Sequence, residues 1–136
     1  MEAAGARHIL LVASLAAYMP APLLAAYAAS KAYVLSLGEA LHVERAPKAG
    51  VTVRSPGYMS TGFDAASEFQ PTPMTQRSAL APETVAGIGL DAVFKGRSSV
   101  VAGTANTLAA AMAKLLPRGF IARQAFKATG SRYDVR

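Results

Sequence analysis

Apolar residues follow two different spacings in the first third of the chain. Residues 8–13 form a short, almost continuous apolar run, which is typical of a strand buried on both faces of a parallel sheet. After a loop with two prolines, residues 24–45 contain no proline and place Val34, Leu37 and Leu41 at the spacing of one helix face. This part of the chain therefore predicts a buried strand that leads into a long helix.

The same alternation continues to the C-terminal region. Val51-Thr52-Val53 predicts a short second strand, and Pro82 has the position of a first helical residue in a helix that runs to about Phe94. Residues 99–102 predict a third strand, and residues 106–127 predict helix with a break at Pro117. Strands that alternate with helices indicate an α/β fold with a parallel sheet of about three strands and right-handed crossovers.

The 136 residues are enough for one domain with a hydrophobic core, and we treat residues 1–136 as a single domain. Within it, residues 58–80 are rich in Pro, Gly, Ser and Thr, which predicts a mostly irregular segment of the kind that covers a site. Met59, Phe63, Phe69 and Met74 in this segment could line an apolar pocket or hold the segment down. We call it the lid-like segment.

Composition limits the chemistry that the chain can support. Cysteine is absent, which excludes disulfides and thiolate metal sites and favours a reducing cytoplasm. No apolar stretch is long enough to cross a membrane, so we expect a soluble protein. His8 and His42 have no carboxylate at ligand spacing, so we expect no metal site.

The net charge of +6 is unevenly distributed. Residues 104–136 contain one acid, Asp134, against a larger set of basic residues: Lys114, Arg118, Arg123, Lys127, Arg132 and Arg136. Such a basic helical segment could lie on an anionic membrane surface or bind a polyanion. The solvated face of an ordinary helix is the interpretation that we favour here, and we expect no nucleic-acid partner.

Tyr27 and Lys31 are four residues apart in the predicted long helix, which places them on one face. An ammonium at that distance favours the phenolate form of a tyrosine and so helps it to exchange a proton with an alcohol or carbonyl oxygen. Ser14 precedes this pair at the end of the first strand, where parallel α/β sheets present functional groups. The three residues are our candidate catalytic set.

Together with Pro56-Gly57-x-Met59-x-Thr61, these residues resemble the successive motifs of the short-chain dehydrogenase/reductase superfamily. The resemblance covers about residues 7–127 and corresponds to the C-terminal, catalytic half of that fold. It implies a partial Rossmann-like fold with three layers, in which the short parallel sheet is flanked by helices. It also implies a nicotinamide-dependent carbonyl reductase or alcohol dehydrogenase, or a truncated derivative of one.

The resemblance assigns a role to each matching residue. Tyr27 would be the general acid/base, and Lys31 would support it while contacting the nicotinamide ribose. Ser14 would hold the substrate oxygen. Pro56, Gly57 and Met59 would lie in the turn beside the nicotinamide, and Thr61 would contact its carboxamide.

The phosphate end of the cofactor site has no counterpart in this sequence. A glycine-rich turn after a first strand normally holds the pyrophosphate, and none occurs here; Gly87-x-Gly89 lies inside a predicted helix, where close packing is the expected reason for it. The residue that would select NAD or NADP is also absent, so either cofactor is compatible with the chain. Nucleotide binding is expected to be weak or lost.

Two further expectations follow from the comparison with the family pattern. The second strand should be shortened by about two residues, which would displace Gly57 and Thr61 relative to Tyr27. The missing strands should leave an apolar edge beside the first strand, which favours a homo-oligomer or another partner.

Two other functions stay open at the level of sequence. The first is a small esterase or lactonase in which Ser14 is the nucleophile and Tyr27 with Lys31 is its base. The second is a non-catalytic remnant that is stable only as an oligomer.

Overall fold

The computed structural model describes residues 7–59, 61 and 71–129. Phe63, Phe69 and the basic residues beyond position 129 therefore lie outside the described residues. Three strands and five α-helices follow one another along the described chain: β1 (Arg7–Val12), a 3₁₀ turn (Leu15–Tyr18), α1 (Ala25–Arg45), β2 (Ala49–Ser55), α2 (Pro73–Arg77), α3 (Pro82–Phe94), β3 (Ser99–Val101), α4 (Thr104–Leu115) and α5 (Arg118–Thr129).

The strands form one parallel sheet in the order β1-β2-β3. Leu11 of β1 is paired with Val53 of β2, and Val53 is also in register with Ser99 of β3. The central strand is the most deeply buried, since Val51 and Val53 are essentially inaccessible to solvent. The strand order follows the chain order, as expected for strands joined by helical crossovers.

Helices cover both faces of the sheet. On one face, Gly38 of α1 lies against Leu11 and Val53; on the other, Gly89 of α3 lies against Leu10 and Arg54. Because successive residues of a strand point to opposite faces, these contacts place α1 and α3 on opposite sides of the sheet. With the strand order β1-β2-β3, the two crossovers therefore have opposite hands, and the expectation that both are right-handed is wrong. The expected three-layer, partial Rossmann-like α/β fold is confirmed.

Most element boundaries agree with the sequence pattern, and α3 begins and ends at the expected residues. The second strand is longer than the predicted Val51-Thr52-Val53, because β2 has seven residues and continues to Ser55. Its pairing with the chain after β1 continues further still, since the Leu15 amide donates to the Pro56 carbonyl at 2.8 Å. The alternation of apolar and polar residues does not reveal this length, because a central strand of a parallel sheet is buried on both faces.

The two glycines of α3 have different surroundings. A β-carbon on Gly89 would lie 2.8 Å from Cδ of Arg54, so close packing is the reason for this glycine, as expected. Among the described residues, a β-carbon on Gly87 would meet no atom within 4 Å. The packing interpretation is therefore right for Gly89 and wrong for Gly87.

β1 lies at an edge of the sheet and pairs with β2 alone among the described strands. The amides of Ala13 and Leu15 donate to the chain of β2, so the odd-numbered residues direct their backbone groups toward β2. The even-numbered residues of β1 therefore direct their backbone groups toward the outer edge of the sheet. Val12, the last of these, is also exposed. In the part of the chain that the structure describes, no helix is long and apolar enough to cross a membrane.

Candidate functional site

The candidate site begins where β1 and β2 end side by side. The Ala13 amide donates to the Arg54 carbonyl at 2.8 Å, and the Leu15 amide donates to the Pro56 carbonyl at the same distance. Ser14 lies between these two hydrogen bonds and is thereby held beside the Pro56-Gly57 turn. The sheet therefore brings two of the predicted motifs to one carboxyl edge, which is the edge where parallel α/β sheets bind ligands.

Tyr27 and Lys31 approach this edge from the first two turns of α1. Lys31 Nζ donates to the carbonyl oxygen of Val12 at 3.2 Å and lies 5.7 Å from the centre of the Tyr27 ring. The Val12 carbonyl points to the outer edge of the sheet. The ammonium group of Lys31 therefore lies between the end of β1 and the Tyr27 ring. An ammonium group has three donors, and two remain for a ligand after the bond to Val12.

Ser14 also has a structural role. Its Oγ accepts a hydrogen bond from the Ala16 amide at 3.2 Å and so caps the 3₁₀ turn. The capping bond uses the oxygen as an acceptor and leaves the hydroxyl hydrogen free to donate. Ser14 can therefore donate to a substrate oxygen without losing its cap.

The Pro56-Gly57 turn rests on Asn106, a residue that the sequence interpretation did not identify as part of the site. The Asn106 side chain is 4% exposed, and its Nδ2 donates to the Ala102 carbonyl at 2.8 Å. A β-carbon on Gly57 would lie 2.7 Å from Cγ of Asn106, so only glycine permits this approach. Gly103 packs against the same side chain with a φ of +92°, and this Gly-x-x-Asn spacing is the signal that could have identified Asn106.

Beyond the turn, Met59 is half-buried and Thr61 is exposed. The two ends of the lid-like segment are held together, because the Leu80 amide donates to the Tyr58 carbonyl at 3.4 Å. Met74, which was a candidate for lining the pocket or holding the segment down, is 83% exposed and does neither. Its place in α2, a short helix at the surface, explains this difference.

Tyr18 lies beneath the site on the α1 side of the sheet. Its hydroxyl is 3.5 Å from Oγ of the fully buried Ser55. Burial raises the pKa of Tyr18, the hydrogen bond to Ser55 acts in the opposite direction, and the negative charge of Glu39 raises it further. Its burial gives Tyr18 a packing role beneath the site, whereas Tyr33 is 67% exposed.

The histidines are engaged in backbone packing. His42 Nδ1 lies 2.7 Å from the Val51 carbonyl oxygen, and the ring of His8 lies over Gly50. Among the described residues, no group of three or more His, Cys, Asp or Glu side chains could hold a metal ion.

A cavity of about 370 Å³ lies beside α1 but does not include Ser14, Tyr27 or Lys31. Small apolar side chains dominate its lining, which also includes one cation: Ala16, Ala17, Met19, Pro20, Ala21, Pro22, Ala25, Ala28, Ala29, Ala32 and Arg118. Its alanines at positions 25, 28, 29 and 32 share one flank of α1. The cavity is therefore separate from the catalytic set.

Comparisons with known proteins agree with this geometry. The family model of the short chain dehydrogenases matches residues 1–71, which contain Ser14, Tyr27, Lys31 and the Pro56-Gly57 turn. No curated protein matches the chain significantly.

Two solved structures show the same fold. A 7beta-hydroxysteroid dehydrogenase is similar with a TM-score of 0.72 and 24% identity, over 87% of this chain and 47% of its own. An acetoin dehydrogenase from Enterobacter cloacae is similar with a TM-score of 0.60 and 18% identity, over 76% of this chain and 45% of its own. The chain thus spans about half the length of the solved structures that it matches.

Proposed function

Because this chain belongs to the short chain dehydrogenase family, we propose that it carries the proton-transfer residues of a nicotinamide-dependent oxidoreductase that acts on a small alcohol or carbonyl compound. One observation carries the proposal: Lys31 links the end of β1 to the Tyr27 ring, beside Ser14, at the carboxyl edge of the sheet. The substrates named for the two similar structures belong to those proteins, and we propose only the broader class for this chain.

In the reducing direction, Tyr27 donates its phenolic proton to the carbonyl oxygen of the substrate, and in the oxidising direction it accepts the proton of the alcohol. Ser14 donates a hydrogen bond to that same oxygen through its free hydroxyl hydrogen. Lys31 stabilises the phenolate that remains after proton donation, because its positive charge lies beside the ring. The nicotinamide, when bound, supplies or accepts the hydride.

The described residues fit the nicotinamide and ribose end of such a cofactor. Lys31 keeps two donors for ribose hydroxyl groups, and the Pro56-Gly57 turn lies at the same edge, with Met59 and Thr61 following it in the chain. Asn106 fixes the position of that turn. The chain contains no glycine-rich turn for the pyrophosphate, and nothing in its residues favours NAD over NADP, so both are test ligands.

The esterase alternative gains no support from the geometry. A nucleophilic Ser14 would need amide donors aimed at the oxyanion of its substrate. The nearby Ala16 amide donates to Ser14 Oγ itself, which makes it a cap of the nucleophile rather than an oxyanion donor.

Self-association through β1 is a second part of the proposal. The outward backbone groups of this edge strand can pair with a strand of another copy, as edge strands commonly do. A homo-oligomer formed in this way would cover the edge beside Ser14.

Cofactor binding by the purified chain tests the proposal. NADH and NADPH at millimolar concentration should each be assayed by nucleotide fluorescence and by the shift in melting temperature. Binding of at least one, weakened in Lys31→Met and retained in Lys48→Met, is the expected result, since Lys48 is an exposed lysine elsewhere on the surface. Binding of neither nucleotide would contradict a dehydrogenase activity of this chain.

A further inference from the structure

Helix α4 has a buried side and an exposed side, and the exposed side is apolar. Asn106, Ala110 and Ala113 form the buried side, which faces the body of the domain. Leu108, Met112 and Leu115 follow the same helical spacing half a turn away, and Leu108 and Leu115 are 65% and 78% exposed. An ordinary surface helix places polar residues on that outer side, so this apolar stripe needs an explanation.

Helix α5 also has exposed apolar residues, and basic residues lie beside them. Phe120, Arg123 and Lys127 are spaced to share one face, and all three are exposed. Phe126 is also exposed, on the flank of this face, and no residue of α5 is fully buried. Exposed aromatic rings beside basic side chains are typical of helices that lie in a membrane interface.

The charge of this region has one sign. Residues 104–129 contain four basic residues, Lys114, Arg118, Arg123 and Lys127, and no acidic residue. We define the exposed side chains of α4 and α5, Leu108, Met112, Leu115, Phe120, Arg123, Phe126 and Lys127, as the basic apolar surface. Its ligand has to accept both apolar side chains and an uncompensated positive charge.

We propose that the basic apolar surface binds peripherally to anionic phospholipid bilayers. Lipid headgroups neutralise the basic side chains, and the acyl boundary accepts the exposed Leu, Met and Phe side chains. A second copy of the same surface is a poorer partner, because a symmetric contact would place Arg123 and Lys127 near their own copies. The solvated-helix interpretation of this segment accounts for the charge but leaves the apolar stripe unexplained.

The expected affinity depends on both contributions. Each basic residue near an anionic leaflet strengthens binding roughly fivefold at moderate ionic strength, and salt weakens this part. The apolar residues add binding that depends on area rather than on salt. Neutral bilayers should therefore bind the chain at least tenfold more weakly than anionic ones.

Vesicle co-sedimentation of the purified chain tests the inference. The probes are vesicles of phosphatidylcholine alone and of phosphatidylcholine with about one third phosphatidylserine. We expect the wild-type chain to pellet with the anionic vesicles and to bind the neutral ones at least tenfold more weakly. In 1 M salt the chain should be released from the anionic vesicles, because the Debye length falls to about 3 Å there.

Two double variants and two matched controls separate the contributions. Leu108→Gln with Leu115→Gln removes apolar contacts, and Arg123→Gln with Lys127→Gln removes two charges; each should weaken binding at least tenfold. Leu90→Gln with Phe94→Gln changes exposed apolar residues on α3, and Lys48→Gln with Arg77→Gln removes two charges elsewhere. These controls should bind like the wild type, and melting temperatures should confirm that all four are folded.

Four results would overturn the inference. Equal binding to neutral and anionic vesicles would contradict the role of the charge, and equal loss in the control variants would contradict the location. Stronger binding to DNA or heparin than to vesicles, or dimers that dissociate in the Leu108→Gln, Leu115→Gln variant, would show that the surface serves a polyanion or a second copy. None of these results depends on the proposed oxidoreductase activity.

Discussion

The turn after β2 rests on the buried side chain of Asn106, because a β-carbon on Gly57 would lie 2.7 Å from Cγ and 2.8 Å from Oδ1 of that residue. Gly57→Ala should therefore destabilise the domain by about 1–3 kcal/mol through overpacking. Urea unfolding measures this change in the free energy of unfolding.

A double-mutant cycle makes this prediction specific. Asn106→Ala removes the side chain that Gly57 contacts, and it also removes the hydrogen bond to the Ala102 carbonyl. Gly57→Ala should cost less in the Asn106→Ala background than in the wild type, with a coupling on the order of 1 kcal/mol. Additive costs would contradict the contact.

Two glycines in different helices should respond to alanine in opposite directions. Gly38→Ala would bring a β-carbon within 2.9 Å of Cδ1 of Leu11, so overpacking by about 1–3 kcal/mol should exceed the gain in helix propensity. The new β-carbon of Gly87→Ala would meet no atom of the described residues within 4 Å, so this variant should stabilise the domain by roughly 0.8–1 kcal/mol. Chemical denaturation of both variants checks the packing of α1 on the sheet, and destabilisation of equal size would count against it.

Burial of Tyr18 predicts a loss of stability in alkaline solution. Because its pKa is raised in the folded state, the unfolded chain releases this proton first, and the free energy of unfolding should fall as the pH rises above about 10. Tyr18→Phe should make this decline shallower and should have little effect at neutral pH. Tyr33→Phe is the control, since Tyr33 is exposed, and its pH profile should match the wild type.

The outer edge of β1 should control self-association. The amide of His8 points away from β2, so His8→Pro removes an outward donor without breaking the β1-β2 pairing. Sedimentation should show a self-associating wild-type chain, a similar His8→Ala control and a more monomeric His8→Pro variant. A monodisperse wild-type monomer would contradict association through this edge.

The order of strands and helices could be read from the sequence because each element has a distinct apolar spacing and a proline or glycine at its boundary. The catalytic set could be predicted for a similar reason, since Tyr27 and Lys31 are one helical turn apart and Ser14 ends an apolar strand. The contact between Gly57 and Asn106 could not be predicted from the sequence, because the two residues are far apart in the chain and meet only when β2 and β3 are paired. The length of β2 was also misjudged, since Arg54 and Ser55 are polar residues inside a central strand.

The central claim is that Tyr27 transfers the proton in a nicotinamide-dependent reaction, and the most direct test is turnover. Oxidation of NADH and NADPH by the purified chain should be measured with a set of small ketones, together with release of the matching alcohols. We expect measurable reduction of at least one ketone, and a loss of roughly 10²–10⁴-fold in Tyr27→Phe at unchanged folding. Wild-type turnover that persists unchanged in Tyr27→Phe, or an absence of turnover with both nucleotides, would contradict the account.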